Sequence, residues 1–375
     1  MKYRRFGQTN FMVSALGFGA MRLPITNNDT SKINEDEAIK MIRFAIDQGV
    51  NYIDTAWPYH QENSEFIVGK ALKDGYREKT KIATKSPVWM LKNQNDFDKY
   101  FEEQLVKLNT DYIDFYLLHA LDEERWKKLL DLDVLHWTEK VKKERKIKYI
   151  GFAFHDNYET FKEIVDSYNW DFCQIQYNYL DTEYQAGRKG LQYAYNKGLG
   201  VVIMEPLRGG TLAGEPPVEA AAILEKSNLL RTITDLGLQW LWNQKEVTMV
   251  LSGMSTMEQV KENIISADNS GIDKLTDVEL AYINIISKKM RGPVSCTRCS
   301  YCMPCPEGVN IPQNFLLYNE AVLYNKKDKN KKIYKELDGK AEKCVKCSKC
   351  ENLCPQNIPI IRQLEEVSRY FKVNK

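Results

Sequence analysis

At 375 residues the chain exceeds one small module, and at about 150 residues per domain it divides into a large part and a smaller one. Its 43% hydrophobic and 28% charged residues suffice to bury a full core, which excludes an intrinsically disordered chain. Lys and Arg number 53 against 51 Asp and Glu, a balance that excludes the basic footprint of a nucleic-acid binder.

The opening segment, Met1-Lys2-Tyr3-Arg4-Arg5-Phe6-Gly7, has no apolar run behind its basic residues, and no later stretch reaches the roughly 18 apolar residues of a membrane span. A soluble, cytoplasmic protein without a membrane partner is expected. Residues 3–13 read as a small hairpin that turns between Gly7 and Asn10 and plugs the bottom of the domain behind it. Eight short apolar or β-branched runs follow, at 14–19, 51–56, 81–85, 113–119, 148–154, 172–178, 201–207 and 249–255. Amphipathic stretches alternate with them at 35–48, 62–73, 96–108, 123–143, 158–167, 184–197, 218–242 and 257–267, their apolar positions recurring every three and four residues. Eight strands, each followed by a helix over roughly 250 residues, predict an α/β fold, the (β/α)8 TIM barrel. A doubly wound open sheet fits less well, because Gly17-Phe18-Gly19-Ala20-Met21-Arg22 lacks the third glycine of a dinucleotide fingerprint.

A last barrel-side helix at 277–287 is followed by Gly292-Pro293, which places a boundary near residue 290: a barrel over 1–290 and a tail over 291–375. The tail holds eight of the nine cysteines. They read Cys296-Thr-Arg-Cys299-Ser-Tyr-Cys302-Met-Pro-Cys305-Pro306 and Cys344-Val-Lys-Cys347-Ser-Lys-Cys350-Glu-Asn-Leu-Cys354-Pro355. Zinc favours two well-separated pairs, whereas runs of three plus one wrap three thiolates around one face of a cube and close it with a distant fourth. Between the runs, 313–324 reads as a helix and 326–332 as a Lys-rich solvated stretch that serves solubility or docks an acidic redox partner. The lone Cys173 reads as a small core residue.

Barrel active sites lie at the carboxyl ends of the strands. There the sequence offers Asp54 ending the second strand, Tyr59 in the loop after it, Lys85 ending the third and His119 ending the fourth. A phenol of pKa ~10 is a poor acid at neutral pH unless an ammonium stabilises its phenolate; Lys85 can supply that charge and Asp54 can hold Lys85. His119 can orient a carbonyl or relay a proton. Singly, Asp54 reads equally well as a helix cap and Lys85 as an exposed strand end; what raises the set is that its members fall at one end of adjacent strands. Of the other histidines, His136 reads as structural, His60 as a loop residue, and His155 lies near the site mouth.

The segments Asn51-Tyr-Ile-Asp-Thr-Ala-Trp-Pro-Tyr59, Ile82-Ala-Thr-Lys85 and Asp111-Tyr-Ile-Asp-Phe-Tyr-Leu-Leu-His119, with Glu65 and Gly69-Lys70-Ala71-Leu72, resemble the aldo-keto reductase superfamily over residues 1–290. The tail resembles a bacterial-type ferredoxin domain carrying two [4Fe-4S] clusters, and the whole chain is similar to ferredoxin-fused aldo-keto reductases. The resemblance implies that Asp54, Tyr59, Lys85 and His119 are catalytic, with Tyr59 as general acid on a small carbonyl or alcohol substrate. It implies Cys296, Cys299, Cys302 and Cys354 on one cluster, and Cys344, Cys347, Cys350 and Cys305 on the other.

The resemblance also implies an NAD(P)H cofactor, with Glu262 and Asn263 at the adenine and Gln174 at the nicotinamide carboxamide. This sequence departs from the pattern where cations meet a 2′-phosphate, placing Gly253 and Gln259 there; Met204 replaces a stacking aromatic and Ala153-Phe154 a Ser-Asn pair. A preference for NADPH is therefore unsupported. Leu207-Arg208-Gly209-Gly210 and Ser252-Gly253 suggest an anion site, for a pyrophosphate or a flavin phosphate. Clusters pass single electrons and nicotinamide a pair, so a wired connection needs a converter, for which a flavin would serve. Three readings follow: a carbonyl–alcohol oxidoreductase whose clusters relay electrons, a conventional NAD(P)H reductase whose clusters are structural or redox-sensing, and a non-catalytic electron-transfer protein, against which the intact tetrad argues.

Overall fold

The computed structural model describes residues 1–27, 29–226 and 231–372. The chain forms two compact units, Met1–Pro206 with Leu238–Leu275, and Leu207–Gly237 with Thr276–Lys375. This division differs from a boundary at residue 290. The helix Val218–Lys226, expected among the barrel helices, contacts Asp277–Lys289 instead, with the Lys289 ammonium 2.5 Å from the Glu219 carboxylate.

In the first unit a hairpin of β1 (Tyr3–Arg5) and β2 (Met12–Ser14) precedes eight parallel strands. These are β3 (Leu16–Gly19), β4 (Tyr52–Asp54), β5 (Lys81–Ser86), β6 (Ile113–Leu121), β7 (Ile147–Phe154), β8 (Phe172–Gln176), β9 (Gly200–Met204) and β10 (Met249–Gly253). They close into a barrel as β10 pairs with β3. Each of the eight apolar runs read from the sequence overlaps one of these strands. The hairpin turn delivers Phe6 into the core against Phe115 and Phe172, with ring centroids 4.7 and 5.5 Å away. Tyr52, Val13 and Met249 belong to the same buried cluster. Because this end is filled with apolar side chains, the polar strand residues gather at the other.

The stretch expected as one helix over 123–143 is two, Glu123–Asp131 and Val134–Lys143, broken at Asp133 in the left-handed region (φ +57°). That over 218–242 is also two, Val218–Lys226 and Ile233–Trp242.

In the second unit the helices Ile311–Leu323, Lys327–Glu336 and Ile360–Phe371 contribute to a small core that includes Phe315, Tyr334, Leu364 and Phe371. The Lys-rich stretch expected to be solvated, serving solubility or docking an acidic redox partner, falls in the second of these helices, anchored by buried Asn330 and Tyr334. Among the described residues no helix is long and apolar enough to cross a membrane.

Candidate active site

Asp54 closes β4, its register partners being Gly19 on one side and Ala83 on the other. Lys85, on β5, is 1% exposed, as is Asp54. Its ammonium donates to Asp54 Oδ1 at 2.5 Å, to the Thr55 carbonyl at 2.8 Å and to the Tyr59 hydroxyl at 3.3 Å. Three N–H donors thus meet three acceptors. Burial pushes the Asp54 carboxyl up and the Lys85 ammonium down, and the contact between them opposes both shifts.

His119 lies on β6 just before Ala120, which sits at φ +53°, where the register against β7 shifts between Leu118 and Leu121. A bulge of this kind re-aims the side chain beside it. Arg125 fixes it by donating from Nη1 to the Ala120 carbonyl at 2.6 Å. The His119 ring stands 6.1 Å from that of Tyr59, nearly perpendicular, and 5.2 Å from that of Trp89. Burial, then the neighbouring Lys85, His155 and Arg125, hold His119 well below the usual imidazole range, so it is a neutral hydrogen-bonding group.

Behind Lys85 lies a buried network that sequence reasoning only half found. Glu65 belonged to the quoted motif; Gln104 did not. The Gln104 amide donates to Glu65 Oε1 at 2.6 Å and to the Lys85 carbonyl at 3.1 Å, and Tyr116 donates to Gln104 Oε1 at 2.8 Å. Thr84 also donates to Glu65, at 2.6 Å. The strand carrying Lys85 is therefore fixed from its rear.

Other expected residues fall in several places. Gln174, on β8, is 1% exposed; its amide approaches Asp54 Oδ2 at 3.5 Å, and its Oε1 has no partner among the described residues. Asn263 is buried and donates to Ser252 Oγ at 3.1 Å, while Glu262 is exposed on the same helix, Met257–Asp268. Gln259 Oε1 accepts from the Ser255 backbone at 2.8 Å. Gly253 leaves room for the side-chain stem of Arg22. Leu207, Arg208 and Gly209 belong to the second unit, where a side chain on Gly209 would collide with the Thr297 carbonyl and Arg298 donates to the Gly209 carbonyl. Close approach of Thr297 accounts for that glycine. Trp89 faces His119, while Trp57 lies under the Lys107 ammonium, 3.4 Å from its ring centroid. His60 fastens a loop: Nδ1 donates to the Thr30 carbonyl at 2.9 Å and Nε2 accepts from Leu23 N at 3.1 Å. Cys173 is fully buried.

The tail cysteines line two cavities. One, of about 140 Å³, has Cys305, Cys344, Cys347 and Cys350 in its wall; the other has Cys296, Cys299 and Cys354; Cys302 borders both. Burial raises the Cys302 thiol, and then Cys299, Cys296 and Cys354 act on it; burial raises Cys350 to about 11, with Cys344 and Cys305 among its neighbours. Both loops repeat one backbone pattern: Arg298 and Ser300 after Cys296, and Lys346 and Ser348 after Cys344, are all left-handed. Such alternation turns successive backbone N–H groups inward, and Arg298 N lies 3.4 Å from Cys296 Sγ.

The family model described as "Aldo/keto reductase family" matches residues 15–288, and the one described as "4Fe-4S dicluster domain" matches 295–358. An L-galactose dehydrogenase of Arabidopsis thaliana is 27% identical over 315 residues, 78% of this chain and 97% of that protein. An NADH-specific methylglyoxal reductase of Escherichia coli is 28% identical over 70% of this chain and 93% of its own length. Among solved structures, an aldo-keto reductase from Bacillus halodurans in its holo form superposes with a TM-score of 0.63 at 27% identity, covering 76% of this chain and 96% of that one. With its closed barrel and its match over most of the chain, this protein belongs to the aldo-keto reductase family of oxidoreductase enzymes and carries a 4Fe-4S dicluster-type domain at its C-terminal end.

Proposed function

We propose that the protein interconverts a small carbonyl compound and its alcohol using a nicotinamide dinucleotide, and that two [4Fe-4S] clusters relay single electrons to or from that reaction, exchanging them with a redox protein partner. The observation that carries the catalytic half is the Lys85 ammonium, buried and held at once by Asp54, the Thr55 carbonyl and the Tyr59 hydroxyl. Gln174 supports the cofactor half: its buried, unpartnered Oε1 beside Asp54 suits an amide N–H donor such as a nicotinamide carboxamide. A reduced nicotinamide, when bound, supplies hydride to the carbonyl carbon. Tyr59 donates its proton to the carbonyl oxygen, and Lys85 stabilises the negative charge left on the phenol oxygen. Asp54 keeps that ammonium in place. His119, neutral, offers an N–H to the same carbonyl and orients it.

The cysteine cavities suit iron-sulfur groups. Eight thiols border the two voids, and a cluster of this kind takes four thiolates. Cys296, Cys299, Cys302 and Cys354 would hold one cluster, and Cys305, Cys344, Cys347 and Cys350 the other, each supplying one-electron chemistry. A bound flavin would convert electron pairs into single electrons. One observation favours a second reading, with structural clusters beside a conventional NAD(P)H reductase: six of the eight cysteines pack against the small core of the second unit.

Anaerobic purification followed by iron, sulfide and released-cofactor analysis tests the relay, and iron near zero overturns it. Tyr59→Phe should lower turnover of methylglyoxal or L-galactose by about 10²–10⁴ with cluster absorption unchanged; an unaltered rate overturns the catalytic assignment. Cys347→Ala should abolish ferredoxin-driven turnover under the first reading and spare NADH-driven turnover under the second.

A further inference from the structure

Three consecutive residues after Tyr59 have left-handed backbones: His60 at φ +53°, Gln61 at +51° and Glu62 at +71°. None is a glycine, and such a run persists only where its surroundings impose it. The phenol therefore hangs on a strained loop, and the 3.3 Å between its hydroxyl and the Lys85 ammonium has to be fixed from outside that loop.

A second ammonium does the fixing. Lys107, near the end of the helix Asn95–Leu108, lies 3.4 Å from the centroid of the Trp57 ring and 3.8 Å from the Glu62 carboxylate, so it grips the loop on both sides of Tyr59. Its third contact is Glu65 Oε2, again at 3.8 Å. Among the described residues Lys107 Nζ and Glu65 Oε2 are buried without a hydrogen-bond partner, so charge on charge and charge on an aromatic face are what hold this cation. The other oxygen, Glu65 Oε1, accepts from the Thr84 hydroxyl and from the Gln104 amide, and that amide also reaches the Lys85 carbonyl. One buried carboxylate thus serves the strand of Lys85 with one oxygen and the cation that grips the Tyr59 loop with the other. Ser64, its neighbour in the helix Ser64–Ala71, reinforces the link: its N–H donates to the Tyr59 carbonyl at 3.2 Å, and its hydroxyl lies 2.9 Å from that of Thr55.

Charged and titratable groups face this carboxylate from every side: Lys107 from its helix, Glu62 across Lys107, Lys85 from β5 and Tyr116 from β6. Burial pushes the Glu65 carboxyl up, and Thr84, Gln104, Lys107 and Lys85 all oppose that shift. Around the Lys85–Tyr59 pair stand Asp54, His119 and, one layer behind, Glu65.

We propose that Glu65 and Lys107 are positioning residues for the reaction: the Glu65 carboxylate, acting through Lys107 on Trp57 and Glu62 and through Gln104 on Lys85, sets both the separation and the charge balance of Tyr59 and Lys85. The inference rests on the acid–base reading of that pair given above.

Steady-state kinetics of the anaerobically purified protein with NADH and methylglyoxal, joined to a titration of Tyr59 that needs no turnover, test it. Lys107→Met should lower kcat by about tenfold or more with the KM for NADH unchanged, and Lys107→Arg, still a cation over the ring, should recover part of the loss. Glu65→Gln keeps an acceptor for Thr84 but removes a negative charge, which favours the deprotonated form of both Tyr59 and Lys85. The basic limb of kcat against pH should therefore move down by about half a unit or more. NMR of ring-labelled tyrosine, with the Tyr59 signal assigned by its loss in Tyr59→Phe, should show the same downward shift in the protein without substrate. A packing defect lowers kcat without moving either midpoint. Midpoints that stay or rise in Glu65→Gln, or a wild-type kcat in Lys107→Met, overturn the proposal and leave the acid–base reading standing. A wild-type rate in Tyr59→Phe overturns that reading itself, and this inference with it.

Discussion

Burial sets the charge of His119 and of its neighbour His155, and with it the response of the first unit to acid. His155, at the end of β7, faces Gln185 Oε1 at 3.3 Å and is pulled down to about 4 by desolvation; His119 is held well below its ordinary value. Both stay neutral when folded and take up protons near 6.5 when unfolded. A depressed folded pKa means stability is fully present above 6.5 and is lost as pH falls toward the folded value. All seven tryptophans lie in the first unit, so tryptophan emission under denaturant reports that unit alone. Its midpoint should fall between about pH 7 and pH 5, and His155→Gln should flatten that fall; an unchanged slope would show that His155 is not the group concerned. The tetrad was legible because strand ends can be located from apolar runs. Arg22 over Gly253 and Trp89 against His119 were not, because those contacts join residues from different strands and loops, which no local pattern encodes.

At the level of elements, periodicity located the strands but misjudged where helices stop and which charged stretches are anchored. The stretch 123–143 keeps its apolar spacing past Asp133, and only the left-handed backbone there reveals the break. The helix Lys327–Glu336 looked like a solvated run because lysines dominate it, yet its buried face needs just Asn330 and Tyr334, four residues apart. Asn330 donates to the Leu317 carbonyl at 2.9 Å. The Tyr334 ring stacks on Phe371 at 4.7 Å, and its hydroxyl donates to Glu342 at 2.7 Å. That residue joins this helix to Ile360–Phe371 and to the segment just ahead of Cys344. Tyr334→Ala should therefore cost about 3 kcal/mol in the second unit, measured by hydrogen exchange of its helices. Lys329→Ala, on the exposed face, should change that exchange by less than about 0.5 kcal/mol. Equal effects from the two would return the helix to the merely solvated role its composition suggests.

At the level of the whole chain, the segment 207–237 leaves the barrel sequence and joins the second unit, a grouping that reading in chain order cannot supply because the partners lie some fifty or more residues away. Arg298 on Gly209, Lys289 on Glu219 and Arg231 on Glu279 at 2.9 Å make those ties. Within the second unit, the stretch from Val294 to Phe371 has a cluster of thirteen buried residues among those described, with six cysteines packed against it. So small a core yields little net stability by itself, and domains of this kind commonly need metal or disulfide cross-links. Four left-handed non-glycine residues in the two cysteine loops add an opposing cost of about 1–2 kcal/mol each. Bound iron-sulfur groups would supply the missing term, because ligand binding that requires the folded site adds directly to folding free energy. Oxidative removal of iron in the presence of a chelator should therefore lower the helical circular dichroism and expose the amides of Ile311–Leu323 and Ile360–Phe371 to exchange. Tryptophan emission, confined to the first unit, should hardly change. Full retention of those helices after iron loss would mean that the apolar core folds the second unit unaided, and would leave electron transfer, not structure, as the reason for eight cysteines.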